Sequence, residues 1–92
     1  MKIKELLPIG SIVKIGGVEK KFMIIGVRQT DMETNKEYDY MASMYPEGFV
    51  SNDGQILLEH EMIEQVVFIG YEDSEREKFL NNLCEYYKMQ DN

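Results

Sequence analysis

The 92-residue chain holds one histidine and one cysteine, so nucleophilic or metal chemistry would have to be built around them. His60 stands among Glu59, Glu61 and Glu64, donor types that suit a metal ion. The spacing argues against one. No second His or Cys stands at a ligand interval, and Glu64 and Gln65 occupy the region where a His-Glu-x-x-His pattern would place its second histidine. His60 instead reads as a turn residue that orders the approach to the last strand. Cys84 follows Leu83 beside an apolar helical stripe, with no basic cluster near it in sequence to favour a thiolate, and reads as a small core or boundary residue. Asp39, between Tyr38 and Tyr40, and Glu47, after Pro46, carry the carboxyl groups of acid–base catalysis, but nothing in the sequence sets them face to face. No catalytic, cofactor or metal-binding residue is assigned, and an enzyme is not expected.

Two further binding chemistries fail on their neighbours. Gly16-Gly17 is followed by neither a Gly-Lys-Ser/Thr run nor a helix pattern, so it is a turn and not a phosphate loop. Tyr38, Tyr40, Tyr45 and Tyr71 resemble a stacking platform for single-stranded nucleic acid, but such platforms interleave Lys and Arg. Here the neighbours are Glu37, Asp39, Glu47 and Glu72. The net charge is −7 and is unevenly spread. Residues 1–36 hold seven Lys/Arg against four Asp/Glu; residues 37–92 hold three against thirteen. Such a surface repels phosphate backbones and suits a basic protein partner.

The elements that would position any site follow from pattern. Ser11–Ile15 reads as a strand closed by the Gly16-Gly17 turn. Phe22–Val27 is a continuous apolar run, a strand with Gly26 marking a bulge or bend. Residues 30–36 have loop composition. Glu37–Tyr45 alternates with period two: Tyr38, Tyr40, Ala42 and Met44 on one face, Asp39, Met41, Ser43 and Tyr45 on the other. Pro46-Glu47-Gly48 and Ser51–Gly54 are turns, Gln55–Glu59 a short strand, His60–Gln65 an irregular or helical turn, and Val66–Tyr71 a strong strand. Ser74-Glu75-Arg76-Glu77 matches a capping box. Phe79, Leu80, Leu83, Tyr86 and Tyr87 then form one helical stripe.

These elements predict a single α+β domain over residues 1–92. Residues 10–71 form a strongly bent, mainly antiparallel sheet of about five strands, a small barrel or half-barrel, and residues 74–89 form one helix packed on it. The apolar fraction of 43% suffices for one core. One cysteine excludes an internal disulfide. The start Met1–Pro8 lacks the apolar core of a secretory signal, and the longest apolar stretch falls far short of the ~20 residues of a membrane span. A cytoplasmic location without membrane insertion is expected.

With chemistry set aside, protein binding is the leading function. Seven methionines are many for this length, and methionine suits adaptable contact surfaces. Met41, Tyr45, Tyr86 and Met89 are the candidate partner contacts, with Glu85 at their polar rim, in a groove that receives a partner helix. Self-association stays open.

Leu7-Pro8-Ile9-Gly10-Ser11-Ile12-Val13, Met23-Ile24-Ile25-Gly26, Tyr38-Asp39-Tyr40, Tyr45-Pro46-Glu47-Gly48 and Val66-Val67-Phe68-Ile69-Gly70-Tyr71, in this order, resemble the small bacterial family known as domain of unknown function 4176. The resemblance runs from about Leu7 to the C-terminal helix. It implies a Gram-positive source, an association with type VII secretion and the LXG class of toxins, and an accessory role as chaperone or targeting factor for a secreted toxin. It supplies no catalytic residues; Pro8, Gly10, Gly26, Gly48 and Gly70 are shapers of turns and bends. The alternative is an immunity protein that neutralises a cognate toxin, and a third class is a small-molecule binder or enzyme with a polar pocket around His60, Asp39 and Tyr40.

Overall fold

The computed structural model describes the backbone of residues 2–90 and the side chains of residues 2–88. Five strands, β1 (Ile12–Ile15), β2 (Lys21–Thr30), β3 (Glu37–Tyr45), β4 (Gln55–Leu58) and β5 (Ile63–Phe68), precede one helix, α1 (Ser74–Gln90). Single 3-10 turns lie at Ile3–Glu5, Asn52–Gly54 and His60–Met62. The strands form one sheet in the order β4-β3-β2-β1-β5 with every neighbouring pair antiparallel. The α+β class and the single C-terminal helix are as the sequence predicts. Of the two sheet forms expected, the closed barrel is not the one adopted: β4 and β5 are the two edges of an open sheet.

The turn chemistry explains the meander β1–β4. Gly17, at φ +80°, closes the β1–β2 hairpin. The β2–β3 loop closes by Asp31 N–H donating to the Lys36 carbonyl and Asn35 N–H to the Asp31 carbonyl, with Asn35 in the left-handed conformation that asparagine tolerates. After Tyr45 a cis bond leads to Pro46, and Gly48, at φ +74°, returns its N–H to the Met44 carbonyl. The register of β2 against β3 shifts between Ile24 and Gly26, where the sequence predicts a bulge.

Directly paired residues share a face. Val13, Phe22 and Met44 fall together, as do Ile24, Ala42 and Ile56, and Tyr40 falls with Val27 and Leu58. This is the core face, and Val13, Ile24, Tyr40, Ala42 and Leu58 have no exposed surface. Ile3, Leu6 and Leu7 of the lead-in and Leu83 of α1 pack against it. Residues 1–8, read from sequence as a lead-in, are thus in part core. The outer face carries Ile12, Met23, Ser43 and Gln55 in one row and Met41 with Leu57 in the next.

β2 extends past the Phe22–Val27 run to Lys21–Thr30, β1 and β4 are each one residue shorter than read, and two further differences change the packing. The last strand runs Ile63–Phe68, where the alternation predicted Val66–Tyr71. Its partner β1 aligns Ile15 with Ile63 and Ile12 with Phe68, so the ladder ends before Ile69. At Gly70 the chain turns in against the Pro8–Ser11 turn, donating its N–H to Ser11 Oγ at 3.0 Å. The helix cap is Asp73 and not Ser74: Asp73 Oδ1 accepts the Arg76 N–H at 2.9 Å, its carbonyl accepts the Glu77 N–H, and Ser74 is the first helical residue.

Gly70 has no room for a side chain. A Cβ there would run into the Ile9 carbonyl and come within 3.0 Å of Ser11 N, both backbone. At Gly26 a Cβ would meet only the flexible Gln29 side chain, at 3.0–3.3 Å. Gly70→Ala is expected to cost about 1–3 kcal/mol or more, and Gly26→Ala no more than about 1 kcal/mol. Urea denaturation of the two variants checks the order; equal midpoints would contradict the close approach at Gly70.

Candidate functional site

The polar residues singled out in the sequence come together at one end of the sheet. Tyr40 lies on the core face with its hydroxyl beneath the lead-in, where it accepts the Leu7 N–H at 2.9 Å. The same oxygen lies 2.7 Å from His60 Nδ1. The phenol oxygen accepts from Leu7 and still has its own proton to share with the ring. The His60 N–H donates to Asp39 Oδ2 at 2.8 Å, so β3 grips the 3-10 turn before β5 twice. Asp39, buried, accepts Arg28 Nη1 at 2.6 Å on its other oxygen. Arg28 also donates to Glu37 and, through Nε, to the Tyr87 hydroxyl of α1 at 3.2 Å, with its guanidinium 4.8 Å from the Tyr87 ring centre.

This constellation joins β2, β3, the turn at His60, the lead-in and α1 by hydrogen bonds. Burial pushes the Tyr40 phenol above its ordinary value, with the Asp39 charge adding to the effect. Burial pushes the Tyr87 phenol up as well, against the hydrogen bond from Arg28. Burial would lower the Arg28 guanidinium, but the Tyr87 hydrogen bond and the charges of Glu37 and Asp39 outweigh it and raise it. Neutral tyrosines and a charged arginine at physiological pH are what a structural network needs. The shallow polar depression here is lined by Arg28, Glu37, Asp39, Glu59, His60 and Glu61. Among the described residues, no three His, Cys, Asp or Glu side chains converge as a metal site would require. Cys84 is half-buried on α1, and Glu47 pairs with Lys20 at the opposite end of the β2–β3 ladder from this group.

The apolar surface is more extensive than a closed core leaves. Between the lead-in and α1 runs a groove of about 340 Å³ lined chiefly by Leu6, Leu7, Ile9, Val27, Tyr71 and Phe79, with Asp73, Glu75 and Arg76 at its margin. Tyr71 is 79% exposed and Phe79 47%. The stripe on α1 is wider than its seam: Leu80 and Leu83 face the body and Tyr87 meets Arg28, which leaves Phe79 and Tyr86, two turns apart, on the outer flank. Arg76 holds the groove's geometry by donating to the Leu6 carbonyl at 2.7 Å.

The predicted contact residues are distributed over two sides. Met41 and Tyr45 lie on the outer sheet face, Met41 half-buried and Tyr45 exposed. Tyr45 borders an open depression of about 540 Å³ together with Ile12, Lys21, Val67 and Phe68. Tyr86 and Glu85 are exposed on α1, which packs on the core side; Tyr86 stands edge-on to Tyr87. The Met89 side chain lies outside the described residues. Sequence reasoning missed Ile9, Tyr71 and the flank position of Phe79. The sequence carried no signal for Tyr71, which reads as the end of the Val66–Tyr71 strand; only the β1–β5 register puts it beyond the last strand.

An open antiparallel sheet with one helix, a polar network that ties elements together and an exposed apolar groove define a small α+β protein. A family model described as domain of unknown function (DUF4176) matches residues 6–79, most of the chain, and the chain belongs to that family. The match ends at Phe79, so it includes the whole sheet and the start of α1. No curated protein and no solved structure matches the chain. Among the described residues no helix is long and apolar enough to cross a membrane.

If Tyr40 is the tie described, Tyr40→Phe, which keeps the ring and removes the oxygen, orphans the Leu7 N–H and is expected to cost about 1–3 kcal/mol. Equilibrium unfolding measures it. Unchanged stability would show that the Leu7 bond contributes nothing.

Proposed function

We propose that this protein is a non-catalytic accessory factor that binds another protein, acting as a chaperone or targeting factor for a type VII secreted toxin. The observation that carries the binding reading is the groove between the lead-in and α1, with exposed Tyr71 and Phe79 on its walls and carboxylates at its margin. An amphipathic helix lays an apolar stripe into such a groove, and basic residues flanking that stripe would meet Asp73 and Glu75. The polar residues support the reading in a second way: Tyr40, His60, Asp39 and Arg28 are engaged with one another and with backbone, which leaves them occupied in the fold. The link to type VII secretion and LXG toxins rests on the family resemblance alone.

The test is co-expression with a toxin encoded beside the gene, offered as its N-terminal helical region and as its C-terminal toxic domain separately. Capture of the N-terminal region is expected. Phe79→Ala and Tyr71→Ala should each weaken the complex by about 2 kcal/mol, roughly thirtyfold in Kd, whereas Glu85→Ala should change it little. Tyr45→Ala separates the two sides: a loss as large as that of Phe79→Ala would move the contact to the outer sheet face. Capture of the toxic domain alone would replace the chaperone by an immunity protein.

A further inference from the structure

The two edges of the sheet are unlike. β4 is four residues long, with no exposed side chain and Leu58 fully buried. β5 pairs only with β1, and from Glu64 onward every residue through Ile69 is exposed. Val66, Val67, Phe68 and Ile69 are 40, 44, 60 and 56% exposed. Folded monomers protect an edge strand with lysines, proline or a covering element. Residues 65–71 of this chain, Gln-Val-Val-Phe-Ile-Gly-Tyr, contain no charge and no proline in a protein of net charge −7. The register with β1 also passes from Phe68 to Val66 between Ile12 and Val13, which leaves Val67 without a match on that side.

We propose that β5 is the seam of a homodimer, in which two copies of the chain join their sheets by antiparallel pairing of β5 with β5 about a twofold axis near Val67. The argument for a second copy as the occupant is self-complementarity. A twofold axis pairs the tract with itself, and residues 65–71, which carry no charge, present nothing that would select a basic segment of another protein over a second copy. The acids that bracket the tract, Glu64 and Glu72, are kept apart by this register. An axis at Val67 pairs Val66 with Phe68 across the seam and leaves Glu64 outside the paired residues, because the chain turns in at Gly70. The outer-face depression bordered by Ile12, Tyr45, Val67 and Phe68 lies beside the seam and receives apolar side chains of the partner. Phe68 is a large aromatic, of the kind that buries on the order of 150–250 Å². In such a pair the exposed Val66, Val67, Phe68 and Ile69 of each copy lie against those of the other. The groove between the lead-in and α1 is a separate feature, so the dimer does not depend on the toxin-binding reading.

Sedimentation equilibrium of the full chain tests it directly. The expected mass is twice the 10.8 kDa of one chain. Val67→Lys, which places a charge on an already exposed edge position, should be monomeric at the same concentration with an unchanged far-ultraviolet spectrum. On a Cys84→Ser background, Val67→Cys should oxidise to a covalent dimer, because residues facing across an antiparallel pair near the axis have Cα atoms about 4.5–5.5 Å apart, within disulfide reach. Met32→Cys, more accessible but in the β2–β3 loop, should not do so above background. A wild type that stays monomeric up to about 1 mM, the weak end of specific association, overturns the proposal. So does a dimer that survives Val67→Lys, or a Val67→Cys variant that cross-links no better than Met32→Cys. If Val67→Lys fails to fold, the cross-linking pair decides alone.

Discussion

The fold depends on how one buried phenol is satisfied. Tyr40 is fully buried at the centre of the core face, and burying a hydroxyl without a partner costs on the order of 1–3 kcal/mol in proteins. It is satisfied by two groups distant in sequence, the Leu7 N–H and the His60 ring. Each bond fixes a segment that has little else to order it. The lead-in has one 3-10 turn, and the His60–Met62 turn sets the direction in which β5 leaves β4 for the far edge of the sheet. Asp39, the preceding residue on β3, takes the His60 N–H and the Arg28 guanidinium, and Arg28 in turn reaches Tyr87 near the end of α1. One strand therefore anchors four other segments through two adjacent side chains that point to opposite faces.

This arrangement constrains function. The hydrogen bonds that Tyr40, Asp39, His60 and Arg28 make in the cluster go to backbone, to one another, to Glu37 and to Tyr87. Surface that is not spent lies elsewhere: on the groove walls at Tyr71 and Phe79 and along β5. Both are apolar and both adjoin carboxylates, so association through them combines non-directional burial with charge steering at the margin.

The open sheet is the reason these surfaces exist. Five antiparallel strands with one helix have enough apolar side chains for a core and more, and closure into a barrel would have paired the edge of β5 with that of β4. The four residues 59–62 instead carry the chain from β4 to a β5 that pairs with β1 and not with β4. The core face is covered by the lead-in and α1. The outer face keeps Ile12, Met23, Met41 and Leu57 under partial cover from their neighbours, and the edge at β5 keeps none.

Much of this architecture was present in the sequence because its causes are local. Period-two alternation in Glu37–Tyr45 determined both the strand and its two faces, Gly26 marked the bulge, and the change to period 3.6 after Asp73 marked the helix. Other features were not local. Val66-Val67-Phe68-Ile69 reads as a strong strand by composition, and only the order of strands makes it an edge. Ser74 and Asp73 are both good caps, and the choice between them was made by which carbonyl and carboxylate met the Arg76 and Glu77 amides. His60 beside three glutamates suggests a ligand set along the chain; in space its partners are Tyr40 and Asp39, about twenty residues away, because antiparallel pairing of β3 with β4 brings Tyr40 opposite Leu58, two residues before it. Sequence spacing determines which side chains share an element, and pairing between elements decides which of them touch.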